Sequence, residues 1–172
     1  MNKFIFPFLT IFSISTISYG QFSSGDFNQS AVPFEVFNDG SANFNPIVGD
    51  NGTFLWFTRT GHEENTGGVL DQDIWFSHFD DGAWSKPSNK YQGLNSSKND
   101  LIIGQSENKT FYLLRYNKTK ISDLTTIEAY KKIGETYIHD HFLNLPEINI
   151  SRSYFGFYVA RDESFVIISM NA

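Results

Sequence analysis

The sequence predicts an all-β fold, and three observations carry that prediction. Its apolar residues are strongly aromatic, with 18 Phe, 8 Tyr and 3 Trp, and such side chains favour half-buried pleated surfaces. The stretch DQDIWFSHFDDGAWSKP (71–87) alternates apolar and polar residues around an Asp-Asp-Gly turn, which is typical of a β-hairpin. Stretches of the same plan recur along the chain.

The recurrence is a repeat of roughly fifty residues. LNSSKNDLIIGQSENKTFYLL (94–114) aligns without a gap on INISRSYFGFYVARDESFVII (148–168), so that Phe111 matches Phe165 at an offset of 54. An earlier copy places Thr53-Phe54 on Thr110-Phe111 at an offset of 57. Each copy reads as a short apolar strand, a polar turn and a very apolar strand.

The repeat predicts the strands in chain order. They are 45–48, 53–58, 73–79 and 83–86 in the first unit, 100–104, 110–116, 125–132 and 135–142 in the second, and 154–159 and 164–169 in the third. Four short antiparallel strands at this period are typical of a β-propeller blade. Because propeller rings use about four to eight blades, the sequence predicts about two and a half blades that do not close a ring.

Two segments allow another interpretation. Thr125 and Glu128 are spaced like a helix-capping box, and Gly134 could end a short helix, but the repeat register favours a strand there. AVPFEVF (31–37) is interpreted as a displaced outer strand.

Several positions are expected to hold the turns and the blades. Gly52 and Gly82 supply the positive φ that a tight turn needs. Asn95 lies where one unit crosses to the next, where its side chain can satisfy backbone groups. The remaining structural positions are Asp73, Trp75 and Trp84.

The pattern from Pro46 onward resembles the WD40-like (TolB-type) β-propeller repeat of bacterial envelope proteins. The residues that carry the resemblance are Pro46, Asp50, Gly52, Phe57, Asp73-Ile74-Trp75, Gly82, Trp84-Ser85, Pro87, Leu94-Asn95 and Asn99-Asp100. It covers about residue 44 to the C-terminus, and the first copy is the most specific. The resemblance implies a short or truncated member of a family whose propellers are often joined to peptidoglycan-binding domains of the outer-membrane protein A type.

The N-terminus reads as a secretory signal peptide over residues 1–20. Lys3 precedes the apolar run 4–17, and Ser18-Tyr19-Gly20 places small residues at the cleavage positions. Residues 21–30 are expected to be a flexible segment before the repeats of 31–172. We therefore expect an exported protein in the periplasm, at the outer membrane or outside the cell, and its lack of cysteine leaves the fold without disulfides.

The charge narrows the class of partner. With a formal net charge of −6 the chain offers no basic stripe for a phosphate backbone, so nucleic acid is not expected. An envelope protein or a glycan fits the expected compartment better. The strand that ends in SFVIISMNA would leave an open blade edge, through which we expect the chain to self-associate.

Few residues suggest chemistry. The loop 59–73 gathers oxygen ligands suited to calcium, namely His62, Glu63, Glu64, Asp71 and Asp73, but their spacing matches no known cation loop and we expect a solvated loop without a cofactor. His139 and His141 would share one face of a strand.

No catalytic motif emerges from the sequence, which therefore predicts a non-enzymatic binding or scaffold module. The alternative is a fragment of a propeller enzyme that acts on glycans through the carboxylates of this loop.

The export hypothesis predicts the N-terminus of the native protein. If residues 1–20 are a cleaved signal, mass spectrometry of the protein purified from its host will show a chain that begins at Gln21. A native chain that still carries Met1 would contradict it.

Overall fold

The protein is described from a computed structural model, which describes residues 34–49, 52–116, 126–144 and 155–170. The predicted signal peptide, the segment 21–30 and residues 31–33 lie outside the described residues. The described chain forms ten strands: β1 (Ala42–Gly49), β2 (Phe54–Thr60), β3 (Asp73–Asp80), β4 (Ala83–Trp84), β5 (Asn99–Gln105), β6 (Phe111–Tyr116), β7 (Thr126–Ile133), β8 (Thr136–Asn144), β9 (Phe155–Val159) and β10 (Val166–Met170).

The strands form antiparallel sheets, which confirms the all-β prediction at that level. Sheet 1 has the order β1-β2-β3-β4 and sheet 2 the order β5-β6-β7-β8, while β9 and β10 form a separate hairpin. None of the sheets built by the described residues is closed. Every strand expected from the repeat is present, with bounds that differ by a few residues.

Of the two segments that allowed another interpretation, the first follows the repeat as predicted and the second does not. The segment with the capping-box spacing is not a helix, because Thr126–Ile133 pairs as strand β7 along its whole length with β8. Glu35–Phe37, expected in a displaced strand, forms a short 3-10 turn instead. In the described part of the chain, no helix has the length and apolar character needed to cross a membrane.

The sheets pack face to face through aromatic and aliphatic side chains. Between sheets 1 and 2 the buried residues include Trp56, Leu113 and Tyr137. On the other face of sheet 2, Tyr112 and Leu114 pack with Val159 of the hairpin. The first strands are therefore neighbours, since β5 contacts both β1 and β9.

The hairpin between β3 and β4 turns within two residues. Asp80 pairs with Ala83, while Asp81 and Gly82 both have positive φ, at 51° and 80°. This is the backbone of a type I′ turn, whose twist matches that of the flanking strands. Space does not select Gly82, because an added Cβ would meet nothing within 4 Å. The positive φ of Gly82 is what favours glycine at this position.

Replacing Gly82 with Val tests this turn. A β-branched residue resists positive φ, so the free energy of unfolding should fall by about 1 kcal/mol or more. Urea denaturation of Gly82→Val measures it, with Ala83→Val as the control, because that exposed neighbour lies in a strand that favours Val. Equal midpoints for the two variants would contradict the prediction.

Candidate functional site

The loop between β2 and β3 is ordered by one asparagine. Asn65 is buried, and its amide nitrogen donates to the carbonyl oxygens of Arg59 at 3.2 Å and Asp71 at 2.8 Å. Its amide oxygen accepts the indole N–H of Trp75 at 2.9 Å. The side chain thus joins both ends of the loop to the buried Trp75, and this role was not foreseen from the sequence.

The two loop aspartates, Asp71 and Asp73, are buried and make their contacts within the loop and with the residues that flank it. Asp73 is fully buried, and its Oδ2 accepts the backbone N–H and the hydroxyl of Thr66, at 2.8 and 2.9 Å, and the Asn89 amide at 3.2 Å. Burial raises the pKa of Asp73, against the effect of these donors. Asp71 is buried against Gly67, where an added Cβ would lie 1.7 Å from its Oδ2.

The five candidate cation ligands, His62, Glu63, Glu64, Asp71 and Asp73, do not converge. Glu63 and Glu64 are exposed, whereas Asp71 and Asp73 lie inside the loop. Among the described residues, no group of three or more His, Asp or Glu side chains is arranged to hold a metal ion.

A recess of about 300 Å³ lies beside this loop. Its lining residues are Asp39, Ser41, Gly61, His62, Glu63 and Val69. The His62 ring packs edge-on against Trp75 with centroids 4.5 Å apart, and its Nδ1 accepts the N–H of Glu64 at 3.1 Å. Its Nε2 lies 3.7 Å from Asp39 Oδ2, so the imidazole is held in one orientation beside that carboxylate.

Ser41, His62 and Asp39 share a composition with hydrolase triads but not their connections. The Ser41 N–H donates to Asp39 Oδ1 at 3.1 Å, and His62 Nδ1 is occupied by Glu64, so neither contact gives Ser41 a general base. Partial burial opposes ionisation of Asp39, yet hydrogen bonds from Ser41 and the Arg59 charge hold its pKa below the ordinary value. The recess therefore offers an ionised carboxylate beside an imidazole.

Two arginines, Arg59 fully buried and Arg115 partly buried, occupy equivalent places in the two sheets. On β2, Arg59 donates from Nε to Asn43 at 2.7 Å, and through its other nitrogens to Asp39 at 2.9 Å and to the Phe37 carbonyl at 3.4 Å. Its guanidinium also lies 4.6 Å from the centre of the Trp75 ring.

Arg115 repeats this arrangement on β6. Its Nε donates to Asp100, its Nη1 to Glu128 at 3.1 Å and to the Tyr130 hydroxyl, and its Nη2 to the Leu94 carbonyl at 2.8 Å. In each sheet the acceptor on the first strand is the cross-strand partner of the arginine, and the acceptor carbonyl lies six residues earlier. We call each set of bonds an arginine clamp. Sequence reasoning missed it, although Arg59 and Arg115 recur at an offset of 56.

The equivalent arginines show that the offset between the first and second units in these strands is 56 residues and not the 57 read from the sequence. The clamps align Arg59 with Arg115, whereas the offset of 57 aligned Thr53-Phe54 with Thr110-Phe111. A one-residue slip in a strand exchanges its two faces, so the sequence alignment placed the side chains of β2 on the wrong side.

The third unit also departs from the predicted alignment. The turn before β10 closes from Ala160 N–H to Phe165 O, one residue longer than the turn that closes from Ser106 N–H to Thr110 O. Val166 pairs with the last residue of β9, as Phe111 pairs with the last residue of β5. Val166, not Phe165, is therefore the counterpart of Phe111.

The two imidazoles of β8 do not share a face. His139 pairs with Tyr130 and His141 with Ala129, and a bulge at this point shifts the register. Because Ala129 and Tyr130 are adjacent in a strand, their partners point to opposite sides. His139 packs on the Tyr130 ring, and His141 binds Asp140 at 2.7 Å.

The predicted structural positions lie as follows. Gly52 has a φ of 90°, Trp75 is 1% exposed, and Trp84 packs against Phe37 and Phe79. The Asn95 side chain accepts the Ile74 N–H at 2.8 Å and donates to the Ile74 carbonyl at 2.9 Å. It thereby pairs with β3 as a strand residue would.

Comparison with protein-family models, with curated proteins and with solved structures finds no match to the chain. The assignment of function therefore depends on the geometry described above.

The clamp in sheet 2 predicts a pH dependence of stability. Complete burial raises the pKa of Asp100 to about 6, against the opposing effect of Arg115 and Ser96, which both donate to it. An unfolded aspartate titrates near 3.9, so the folded state keeps a proton that the unfolded state has lost as pH rises from about 4 to about 6. The contribution of Asp100 falls over that window, by at most about 3 kcal/mol, and is constant above it.

Urea denaturation at several pH values measures this contribution. Asp100→Asn should flatten the fall in unfolding free energy between about pH 4 and 6, relative to the wild type. Asp80→Asn, at an exposed position, is the control and should keep the wild-type slope. Identical slopes for all three proteins would contradict the shifted pKa.

Proposed function

We propose that this protein is an exported, non-enzymatic binding or scaffold module of the bacterial cell envelope, built from propeller-type blades. One observation carries the proposal: two four-stranded antiparallel sheets repeat with the same arginine clamp, and their first strands lie side by side with β9. Repeated sheets whose first strands are neighbours are what a propeller arrangement requires. The WD40-like resemblance of the sequence supports the same assignment.

The polar groups of the loop support binding over catalysis. Asn65, Thr66 and Asp73 Oδ2 form hydrogen bonds within the loop and to the residues that flank it, so they stabilise the loop. Propellers in general bind ligands through loops that a rigid scaffold holds in place. The loop between β2 and β3 is held in this way by its own hydrogen bonds. No cofactor is part of the proposal.

A second candidate is glycan hydrolysis, favoured by one observation. Asp39 and Glu63 both line the recess beside His62, and glycosidases use a pair of carboxylates. Incubation of the mature chain with purified peptidoglycan sacculi separates the two functions. The binding module should co-sediment with sacculi or with an envelope protein and release no reducing ends. Release of reducing ends that Glu63→Gln abolishes would overturn the non-enzymatic proposal.

The proposed scaffold also has a surface for a second copy of the chain. Among the described residues, β10 pairs with β9 alone, whereas β2 and β6 each pair on both sides. Ile167 is 54% exposed, while its counterpart Tyr112 is 2% exposed. Val166–Met170 carries no charge, so two copies can pair antiparallel along β10 without like charges meeting. The joined hairpins would form a four-stranded sheet, as in sheets 1 and 2.

Sedimentation velocity at micromolar concentration tests this pairing. The mature chain should sediment as a dimer or larger species, and Ile167→Lys should shift it to the monomer. Ile133→Lys is the matched control, since Ile133 is also exposed, at 64%, but lies on β7. A wild-type monomer, or equal effects of the two substitutions, would contradict self-association through β10.

A further inference from the structure

Sheet 1, sheet 2 and the β9–β10 hairpin stack in one direction along the chain. Sheet 1 packs on sheet 2 through Trp56, whose ring centroid lies 4.6 Å from that of Phe111. The opposite face of sheet 2 carries Tyr112 and Leu114, which pack with Val159 of the hairpin. We call the face that each sheet turns toward the next one its front, and the opposite face its back. Both joints in the described chain therefore place a front on a back.

Strand pairing shows which residues are equivalent at the two joints. The second strands of the three units have three counterparts that point to the back, namely Leu55, Phe111 and Val166. Directly opposite residues of paired strands share a face, so the equivalent back residues of the first strands are Val48, Gln105 and Val159. Neighbours along a strand point to opposite faces, so the equivalent front residues are Ile47, Gly104 and Tyr158.

At each joint the back residue lies against the first strand of the preceding unit. A Cβ added to Gly49 would lie 2.7 Å from Gln105 Oε1, and one added to Gly104 would lie 2.8 Å from the Val159 Cβ. The contacts of β5 with β1 on one side and with β9 on the other agree with this. The two joints are thus built in the same way, with first strand on first strand.

The two outer faces of this stack carry the equivalent residues in exposed form. On the front of the hairpin Tyr158 is 49% and Ile167 54% exposed, and on the back of sheet 1 Val48 is 58% exposed. Val159, the counterpart of Val48 at the second joint, is 3% exposed. The side chains of Tyr158, Ile167, Val48 and its neighbour Leu55 are uncharged, so covering one face with the other would bury no charge.

The N-terminal turn leaves this part of sheet 1 accessible. Phe37 packs edge-on against Phe57, with ring centroids 5.4 Å apart, and also packs against Trp84 of β4. The turn thereby covers the back of sheet 1 on the side of β3 and β4, whereas Val48 on β1 is exposed and Leu55 on β2 is half-buried. The part left open consists of β1 and the adjoining end of β2, which matches the two strands of the hairpin.

We propose that the front of the hairpin binds the back of sheet 1 in a second copy of this chain, with Tyr158 against Val48 and Ile167 against Leu55. The partner follows from the repeat, because the same joint occurs twice within the chain and its next step requires a hairpin front and a sheet back. The contact joins two different surfaces, so the copies associate head to tail. It rests on the scaffold function proposed above and uses a face of the hairpin, not the β10 edge.

Disulfide capture between two single-cysteine variants tests the contact, because the chain has no cysteine of its own. Val48→Cys and Tyr158→Cys are mixed at micromolar concentration and oxidised with glutathione disulfide. The equivalent Cβ positions of Gly104 and Val159 are 2.8 Å apart, so thiols at 48 and 158 come within reach of a disulfide. The mixture should give at least about tenfold more covalent dimer than either variant alone, since association raises the effective concentration of the two thiols.

The matched control is Leu70→Cys mixed with Tyr158→Cys. Leu70 is 82% exposed but lies in the loop between β2 and β3, away from the proposed contact. Urea denaturation of each variant checks that it folds as the wild type does. The proposal is overturned if the control mixture cross-links as much as the test mixture, or if the test mixture gives no more dimer than its single variants.

A charge at Val48 tests the same contact without cysteine. Val48→Asp should shift the sedimentation velocity profile toward smaller species, because a carboxylate placed against the Tyr158 ring loses its water without gaining a partner. Leu70→Asp adds the same charge to the exposed loop position and should sediment as the wild type does. Equal profiles for the wild type and both variants would contradict the contact.

The same variants separate this contact from the functions proposed above. Val48→Asp leaves β10 unchanged, so a loss of association in Ile167→Lys but not in Val48→Asp would assign self-association to the β10 edge and overturn the head-to-tail contact. Cross-linking of the test mixture by a chain that binds neither sacculi nor an envelope protein would support the contact and overturn the binding module.

Discussion

The arginine clamps are the interaction on which the rest of the structure depends. In each sheet an arginine, fully buried at Arg59 and partly buried at Arg115, connects the second strand, its cross-strand partner and a carbonyl of the segment that precedes the sheet. A charge placed in the interior is tolerated only when every donor finds an acceptor, and breaking such a set typically costs about 3–5 kcal/mol. The clamp therefore fixes where the chain enters each sheet, and through Leu94 and Arg115 it fixes the crossing from sheet 1 to sheet 2.

The position of the loop between β2 and β3 follows from this constraint. Arg59 holds Asp39, which faces His62, and Arg59 itself stacks on Trp75, whose indole holds Asn65. The Arg59 clamp thus holds Asp39 on one side of the recess and Trp75, which contacts His62, on the other. On the opposite face of sheet 2, Tyr112 and Leu114 pack against Val159, and this contact places β9 beside β5.

The charged residues differ in whether they stabilise the fold or are accessible to a ligand. Asp73 and Asp100 are buried with several donors each, so their role is to satisfy backbone and side chains within the fold. Glu63, in contrast, is exposed on a surface with space beside it. Groups of the second kind are the ones available to a ligand.

The sequence by itself determined the strands, the turns and the existence of a repeat, because these follow from local alternation and from residues such as Gly82 that tolerate positive φ. It could also indicate Asn95, whose side chain acts locally on the backbone. Only the tertiary structure decided which face each strand buries. One extra residue in the turn 160–165 and a bulge at His139–His141 exchanged the faces, and neither leaves a mark in the alternation. The clamps stayed hidden for the same reason, since Arg59, Asp39 and Phe37 meet only after the strands have paired.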